Sequence, residues 1–340
     1  MLTTSIIIVN YNGKHLLEDC LDGLQAQTRA PDEVIVVDNG SQDGSIAFLR
    51  CRYPWARLIE SGENLGFSAG NNRGIRSSSG DVVVLLNNDT VPSPGFVEEI
   101  VRPLESDTHW SAVAGIMLFS SDPNRIATAG IEVFENGLAL DRDVGRLWRE
   151  RSGQVEVFGP SGGAVAFRRS ALFDVELFPE PFFLYLEDVD LAWRLKLRRH
   201  RTVVNPAAWT LHVYSASATE GSPLKNFYLA RNRAWALLRC WPASLWRRHW
   251  ISVLWYEFCS ICFALATLRF HSIRGRFAGW AGIFRLMRVR RLVQSRSTAQ
   301  TGDLLYWLRP APSVRNVFRL RRVIQVATRR RGTDNPGNFL

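Results

Sequence analysis

Short apolar runs rich in β-branched residues open the chain, and amphipathic stretches separate them. Ser5–Val9, Glu33–Val37, Arg57–Ile59 and Val82–Leu86 read as strands. They are brief, bounded by turn residues, and lack the recurrence of about 3.6 residues that marks a helix. Between them, Lys14–Gln25 sets Leu16, Leu17, Cys20, Leu21 and Leu24 on one face. Asp43–Arg52 follows the turn Asn39-Gly40-Ser41, and Gly70–Ser77 makes a third helix. Strands alternating with helices predict an α/β fold with a mainly parallel sheet and flanking helices. Each strand ends in polar residues: Asn10, Asp38, Glu60 and Asn87-Asn88-Asp89. In an open α/β sheet, ligands sit beyond such carboxyl ends.

From about residue 109 the pattern is mixed. Val113–Phe119 and Gly163–Phe167 read as strands and Asp188–Arg199 as an amphipathic helix. Thr202–Asn205 and Trp209–Val213 read as two closing strands. Gly, Asp and Arg crowd Glu135–Gly153, which predicts a mobile surface excursion. From about Lys225 the chain becomes helical and rich in arginine. Trp250–Leu268 is nearly long enough to cross a bilayer. Glu257 near its middle opposes insertion by roughly 2.5–3.5 kcal/mol. An in-plane or re-entrant membrane helix, a core or oligomer helix and a true span all remain open for it. Arg274, Arg276, Arg285, Arg288, Arg290 and Arg291 follow, interleaved with Phe277, Trp280, Ile283, Phe284, Leu286 and Met287. That pattern suits anionic headgroups. The expected divisions are 1–108, 109–224, a basic helical region 225–332, and a disordered tail 333–340.

Charge sharpens this division. The net +10 conceals 15 basic and 28 acidic groups before Leu191, against 27 basic and 4 acidic groups from Leu191 onward. The basic part calls for an anionic partner. Five cysteines without framework spacing fit reduced thiols. The N-terminus passes at once into a short strand rather than an apolar leader. A cytoplasmic protein, peripheral on the inner face of the membrane, is expected.

Several groups can carry chemistry. Asp89, with Asn87 and Asn88, stands where a buried strand runs out, and hard cations take oxygen ligands. A lone Asp there also serves as a turn residue or cap. Asp38-Asn39-Gly40-Ser41 can accept from a nucleoside or merely form an Asx turn. Glu63–Gly74 is a loop dense in glycine and amides, with Asn64, Gly66, Phe67 and Asn71, suited to close approach of a polar ligand. Neither a P-loop nor a dinucleotide-binding glycine fingerprint occurs. Apolar residues Phe182–Leu186 lead into Glu187, Asp188 and Asp190. Acids favour a helix N-terminus, but a carboxylate beside an apolar wall also makes a tuned general base. His212, followed by Ser215 and Ser217, is a candidate metal ligand or an ordinary polar group. No zinc spacing supports it.

Taken together, Ile8-Val9-Asn10-Tyr11-Asn12, Val37-Asp38-Asn39-Gly40-Ser41, Asn64-Leu65-Gly66-Phe67, Leu86-Asn87-Asn88-Asp89, Ser161-Gly162-Gly163, Glu187 to Arg194 and His212 closely resemble the family 2 glycosyltransferases. Within them, the rhamnosyltransferase-type branch of bacterial surface-polysaccharide synthesis is most similar. The resemblance runs through residues 4–240 in order. It implies a GT-A, Rossmann-like fold, a nucleotide-diphospho-sugar donor, a divalent cation (Mg2+ or Mn2+) and inversion at the anomeric carbon. It implies that Asp38 contacts the nucleoside, with Val9, Asn10, Tyr11, Asn64, Gly66, Phe67, Asn71 and Asn88 about the nucleotide sugar. Asp89 and His212 would meet the metal. Asn87 replaces the first acid of the family's DxD, which lowers the anionic charge offered to the cation. Asp188 matches the catalytic base, while Glu187, Asp190, Trp193, Arg194, Gly162 and Gly163 fall on its supporting or acceptor side. Lys225-Asn226-Phe227-Tyr228 and Arg231-Asn232-Arg233 resemble the family's C-terminal junction.

The transfer implied is of a sugar, L-rhamnose from dTDP-rhamnose in the leading reading, to a polyprenyl-diphosphate-linked or glycan acceptor at an anionic membrane surface. The competing readings are a non-catalytic nucleotide- or sugar-binding protein and a basic nucleic-acid-binding protein. The chain shows no DNA or RNA module, and its basic segments are too apolar for a solvated groove.

Overall fold

Alternation of side chains across a pleated strand decides which residues meet on each face of the central sheet. The computed structural model describes residues 1–148, 153–213 and 222–329. The expected disordered tail 333–340, like Ser215 and Ser217, lies outside the described residues. Strands β1 (Thr4–Asn10), β2 (Glu33–Asp38), β3 (Arg57–Glu60) and β4 (Val82–Leu86) run parallel. Helices α1 (Lys14–Gln25), α2 (Ser45–Arg52) and α3 (Gly66–Ser77) join them. Ile6, Ile8, Val34, Val36, Val82 and Val84 pack with Leu17, Leu21 and Leu24 of α1 on one face. Their neighbours Ile7, Ile35, Val37, Val83 and Leu85 pack with Ile75 of α3 on the other. Burial on both faces is why these strands read as continuous apolar runs.

The chain continues through β5 (Thr90–Pro92), α4 (Phe96–Ser106), β6 (Trp110–Phe119), β7 (Asp122–Thr128), β8 (Ile131–Phe134), β9 (Ala139–Asp141), β10 (Val155–Val157), β11 (Ala164–Arg168), α5 (Arg169–Asp174), α6 (Glu187–Leu197) and β12 (Arg201–His212). The sheet order is β10-β12-β6-β11-β4-β1-β2-β3, with β5 paired to β12 and β7 to β6. β11 is antiparallel to both β4 and β6, so the sheet is mixed but mostly parallel. Asn87 N–H donates to Gly163 O at 2.9 Å, bringing the Gly162-Gly163 turn against the end of β4.

Three expectations need correction. The two closing strands are one strand, β12, whose register breaks between Val204 and Trp209. Pro206 lies in that break, and a proline donates nothing to a ladder. The helix read at Gly70–Ser77 begins earlier, at Gly66, so much of the glycine- and amide-rich stretch Glu63–Gly74 is helical. The excursion Glu135–Gly153 contributes β9, which pairs with β8.

The remaining elements are α7 (Pro223–Cys240), α8 (Ala243–Ala266), α9 (Phe270–Ala281), α10 (Ile283–Ser295), α11 (Thr301–Leu305), β13 (Leu308–Arg309) and α12 (Val314–Arg329). β13 joins β8 and β9 in a second, three-stranded sheet. Helix α6, read from the sequence as amphipathic, is buried almost all round. Leu191 and Leu195 face the sheet side, while Val189, Ala192, Trp193 and Leu197 pack with Leu237 of α7, Trp241 just after it and Leu245 of α8. Helix α8 has the length and hydropathy of a membrane span, yet it lies along the molecule's surface with few residues buried. Leu245, Val253, Glu257 and Ala264 face inward, whereas Trp250, Ile251, Leu254, Trp255 and Phe258 are exposed.

Candidate active site

The rim formed by the ends of β1, β2 and β4 is organised by a relay of amides. Asp38, fully buried, accepts from Ser41 N–H at 2.8 Å and from the Asn10 side-chain amide at 3.1 Å. Asn10 Oδ1 in turn accepts from the Asn88 amide at 2.8 Å. This relay ties the turn after β2 to the residues after β4, and Gly13 makes it possible. A Cβ there would stand 2.3 Å from Asn88 Nδ2 and 2.7 Å from Asn10 Oδ1. Asn39 Nδ2 donates to Gly66 O at 3.0 Å, and Gly66 N–H donates to Asn64 Oδ1 at 2.9 Å. Gly66 has a positive φ of 77°, and a Cβ there would meet the Phe183 ring and carbonyl at 2.5 Å. Only glycine adopts that conformation at so close an approach without strain.

Asp89 follows the relay. Its backbone carbonyl accepts from Val213 N–H at 2.9 Å, which draws the end of β12 alongside. Asp89 Oδ1 is buried without a hydrogen-bond partner among the described residues and stands 3.3 Å from His212 Nε2. An orphaned carboxylate oxygen beside an imidazole nitrogen fits a divalent cation, which accepts both ligand types. Among the described residues no group of three or more acidic, His or Cys side chains is gathered for a metal.

Asp188 lies at the start of α6. Its Oδ2 accepts from Gly162 N–H at 3.2 Å and its Oδ1 from Val189 N–H at 2.8 Å. Burial pushes its carboxyl above the usual range, and these two N–H groups offset the effect only in part. Glu187 is pushed well up by burial and then by repulsion from Asp188. A carboxylate with a raised pKa beside a second acid is the electrostatic signature of acid–base work.

The turn that delivers Asp188 is strained. Phe183, Tyr185 and Leu186 have φ of 65°, 70° and 64°, a region that costs about 1–3 kcal/mol for each such residue. Asn232 of α7 holds it, donating to Phe182 O at 3.0 Å, Leu184 O at 2.9 Å and Tyr185 O at 2.7 Å. Arg231 donates to Pro181 O and Phe182 O, each at 2.9 Å.

A cavity of about 870 Å3 gathers these parts. Val9, Tyr11, Asn64, Gly66, Phe67, Asn88, Asp89, Gly162, Gly163, Glu187, Asp188, Trp193 and His212 all line it. Asn10, Asp38 and Asn71 do not. The first two brace the rim from behind, and the Asn71 amide donates to Phe67 O at 2.9 Å. Asp190 and Arg194, expected on the acceptor side, do not line the cavity; they pair with each other. Arg194 Nε and Arg239 Nε lie 2.6 Å and 2.8 Å from the fully buried Asp190 carboxylate. Arg194 also donates to Val175 O. Burial pushes Asp190 up, but Arg239 and Arg194 outweigh it and hold its carboxyl below the usual range.

Sequence reasoning missed Asp141. It lines the cavity from β9, and its carboxyl rises to about 6, through burial first and then Asp188, with Thr128, His212 and Lys225 pulling the other way. No neighbouring motif signalled it. Asn232 was marked only as part of a tripeptide, and its service to three backbone carbonyls is visible only in the fold.

An N-acetylglucosaminyl-diphospho-decaprenol L-rhamnosyltransferase of Mycobacterium tuberculosis is 27% identical over 267 residues, covering 71% of this chain and 86% of that protein. Glycosyltransferase AglE of Haloferax volcanii is 32% identical over 137 residues, 39% of this chain and 45% of that protein. Among solved structures, GalNAc-T7 with UDP, GalNAc and Mn2+ superposes with a TM-score of 0.59 at 14% identity. It covers 72% of this chain, which spans about half (49%) of that protein's length. The mannosyltransferase PcManGT from Pyrobaculum calidifontis, in complex with GDP-Man and Mn2+, gives 0.53 at 18% identity over 98% of this chain and 88% of its own. At such identities the likeness is one of fold, and the fold is GT-A. Residues 5–175, just over half of the chain, match the model described as "Glycosyl transferase family 2", and the chain belongs to the family 2 glycosyltransferases.

Proposed function

We propose that the protein is an inverting transferase that moves a sugar from a nucleotide-diphospho-sugar to a hydroxyl of a lipid-diphosphate-linked acceptor. L-rhamnose from dTDP-rhamnose is the favoured donor, on the likeness to the mycobacterial rhamnosyltransferase. The observation that carries this reading is the sharing of one cavity by Asp188, the Asp89–His212 pair and the Asn64–Phe67 turn. The acceptor hydroxyl gives its proton to Asp188 as its oxygen attacks the anomeric carbon. The bond from that carbon to the donor phosphate breaks on the opposite face, and its electron pair leaves with the nucleoside diphosphate. A raised pKa suits Asp188 to this task, since a base nearer the working pH takes the proton more readily. Asp89 and His212 would hold a divalent cation, which when bound supplies Lewis-acid stabilisation of the departing diphosphate.

The exposed apolar face of α8, together with exposed Arg247 and Arg248 of α8, Arg274 of α9 and Arg285, Arg288 and Arg291 of α10, supports a helix lying in the plane of an anionic membrane at its cytoplasmic side. A screen of nucleotide sugars by thermal shift, with Mg2+ or Mn2+, followed by transfer assays on the stabilising donors, tests the function. Stabilisation by dTDP-rhamnose above other donors is expected. Stabilisation by none of them would defeat it.

A further inference from the structure

The same cavity reaches a second charged group that the transfer chemistry does not use. Arg233 of α7 and Arg276 of α9 both pair with Glu257 of α8. Arg233, Arg276 and Glu257 are 6%, 8% and 7% exposed. Two guanidinium groups share one carboxylate, leaving a buried excess of one positive charge. Arg233 also donates to Asn136 O and lies 4.2 Å from the Tyr256 ring centroid. Even so, Nε of Arg233 and Nε of Arg276 are buried without a hydrogen-bond partner among the described residues. The ionisable neighbours acting on Arg233 are Glu257, Tyr256 and Arg276, and among the described residues Glu257 is the carboxylate paired with either arginine.

Such an arrangement is unfavourable for folding alone. A buried cation without its own counter-charge is unfavourable to desolvate, and one arginine would satisfy Glu257. The surplus has a use because Arg233, Tyr256, Ser272 and Arg276 line the cavity that also holds Asp188. Leu229, Ala230 and Leu237 of α7 add apolar lining to the same cavity. Guanidinium forks recognise phosphate oxygens by paired, charge-assisted hydrogen bonds. On the side of the same helix turned away from Glu257 stand Ile251, Trp255 and Phe258, all exposed. A phosphate held here would thus lie about one helix diameter, roughly 10 Å, from a surface suited to lipid.

We propose that Arg233 and Arg276, balanced by Glu257, form an anion subsite that seats the phosphate of a lipid-diphosphate acceptor. This rests on the transfer reading above and assigns the acceptor's place within it. The charged group is held at the helical end of the cavity, the sugar extends along the apolar lining toward Asp188, and the prenyl chain leaves past α8.

The test is equilibrium binding to the full chain in detergent, without donor. The probes are farnesyl diphosphate, farnesol, inorganic pyrophosphate and dTDP. The wild-type protein should bind farnesyl diphosphate at least about tenfold tighter than either farnesol or pyrophosphate. Arg276→Gln leaves a neutral Arg233–Glu257 pair and should abolish the preference over farnesol while leaving dTDP affinity unchanged. Glu257→Gln adds one net positive charge and should tighten farnesyl diphosphate binding, whereas a merely structural triad predicts weaker binding or none. Arg276→Lys, which keeps the charge, should retain most of the preference and guards against a folding defect in the other two.

Equal loss of farnesyl diphosphate and farnesol in Arg276→Gln would overturn the proposal, as would weaker diphosphate binding in a folded Glu257→Gln protein. Pyrophosphate binding as tight as farnesyl diphosphate would assign the subsite to a free phosphate and sink the lipid assignment. These affinities are read without turnover, so a failed donor screen would count against the transfer reading alone.

Discussion

Replacing Asp141 with asparagine should stabilise the protein, and only above acidic pH. The carboxyl rises from 3.8 to about 6 in the fold, with burial as the main cause and Asp188 next. Between those two pH values the folded protein keeps a proton that the unfolded chain has released. Stability therefore declines as pH climbs through the window, and the loss is complete above the folded pKa. The shift corresponds to an upper limit of about 3 kcal/mol at pH 7. Asparagine has nearly the same shape and no charge to bury. Asp141→Asn should thus gain up to about 3 kcal/mol at pH 7 and nothing near pH 3.5. With an m-value of about 2–3 kcal/mol/M in urea, the midpoint would move by ~1 M. Urea titrations at both pH values, with chelator present so that no cation screens the carboxylates, measure it. A midpoint that is unchanged or lower at pH 7, or a gain of equal size at both pH values, refutes the reasoning.

Asp188→Asn should lower kcat/KM by about 10²–10⁴-fold while leaving donor affinity intact, and full turnover would rule out its role as base. In the wild-type protein, kcat/KM should fall as pH drops through the raised pKa of Asp188, because the protonated acid can take no proton. Asp89→Ala should remove the cation dependence of nucleotide binding, measured by titrating the donor with and without Mn2+. An undiminished cation effect would count against Asp89 as a ligand. Asn232→Ala strips donors from three carbonyls of the strained turn, at about 1–3 kcal/mol for a buried group left unsatisfied. A loss of at least ~2 kcal/mol is expected in denaturation, with kcat reduced more than donor affinity, and a neutral effect on both would show that the turn holds itself.

The parallel half of the sheet was legible because its strands are short, apolar throughout and punctuated by turns. Val82–Leu86 and Lys14–Gln25 match the observed elements residue for residue. The cavity-lining residues Asp89, Asp188 and Gly162-Gly163 were visible as acids and glycines at the ends of such elements. Acidic residues inside a helix were less legible. Asp188 and Asp190 both lie in the first turn of α6, yet one lines the cavity and the other is locked between two arginines. Periodicity gives the angle between them about the helix axis, but not what packs on each side.

By itself, then, the order of apolar and polar residues determined the strands, the helices that join them and the rim where ligands gather, since those follow from local periodicity. Only the tertiary structure decided the rest: that β9 carries Asp141 to the cavity, that Asn232 holds the turn before Asp188, and that Glu257 turns inward to two arginines. These depend on contacts between residues far apart in the chain. Burial and the neighbouring charge, which set what a carboxylate can do, exist only once those residues have met.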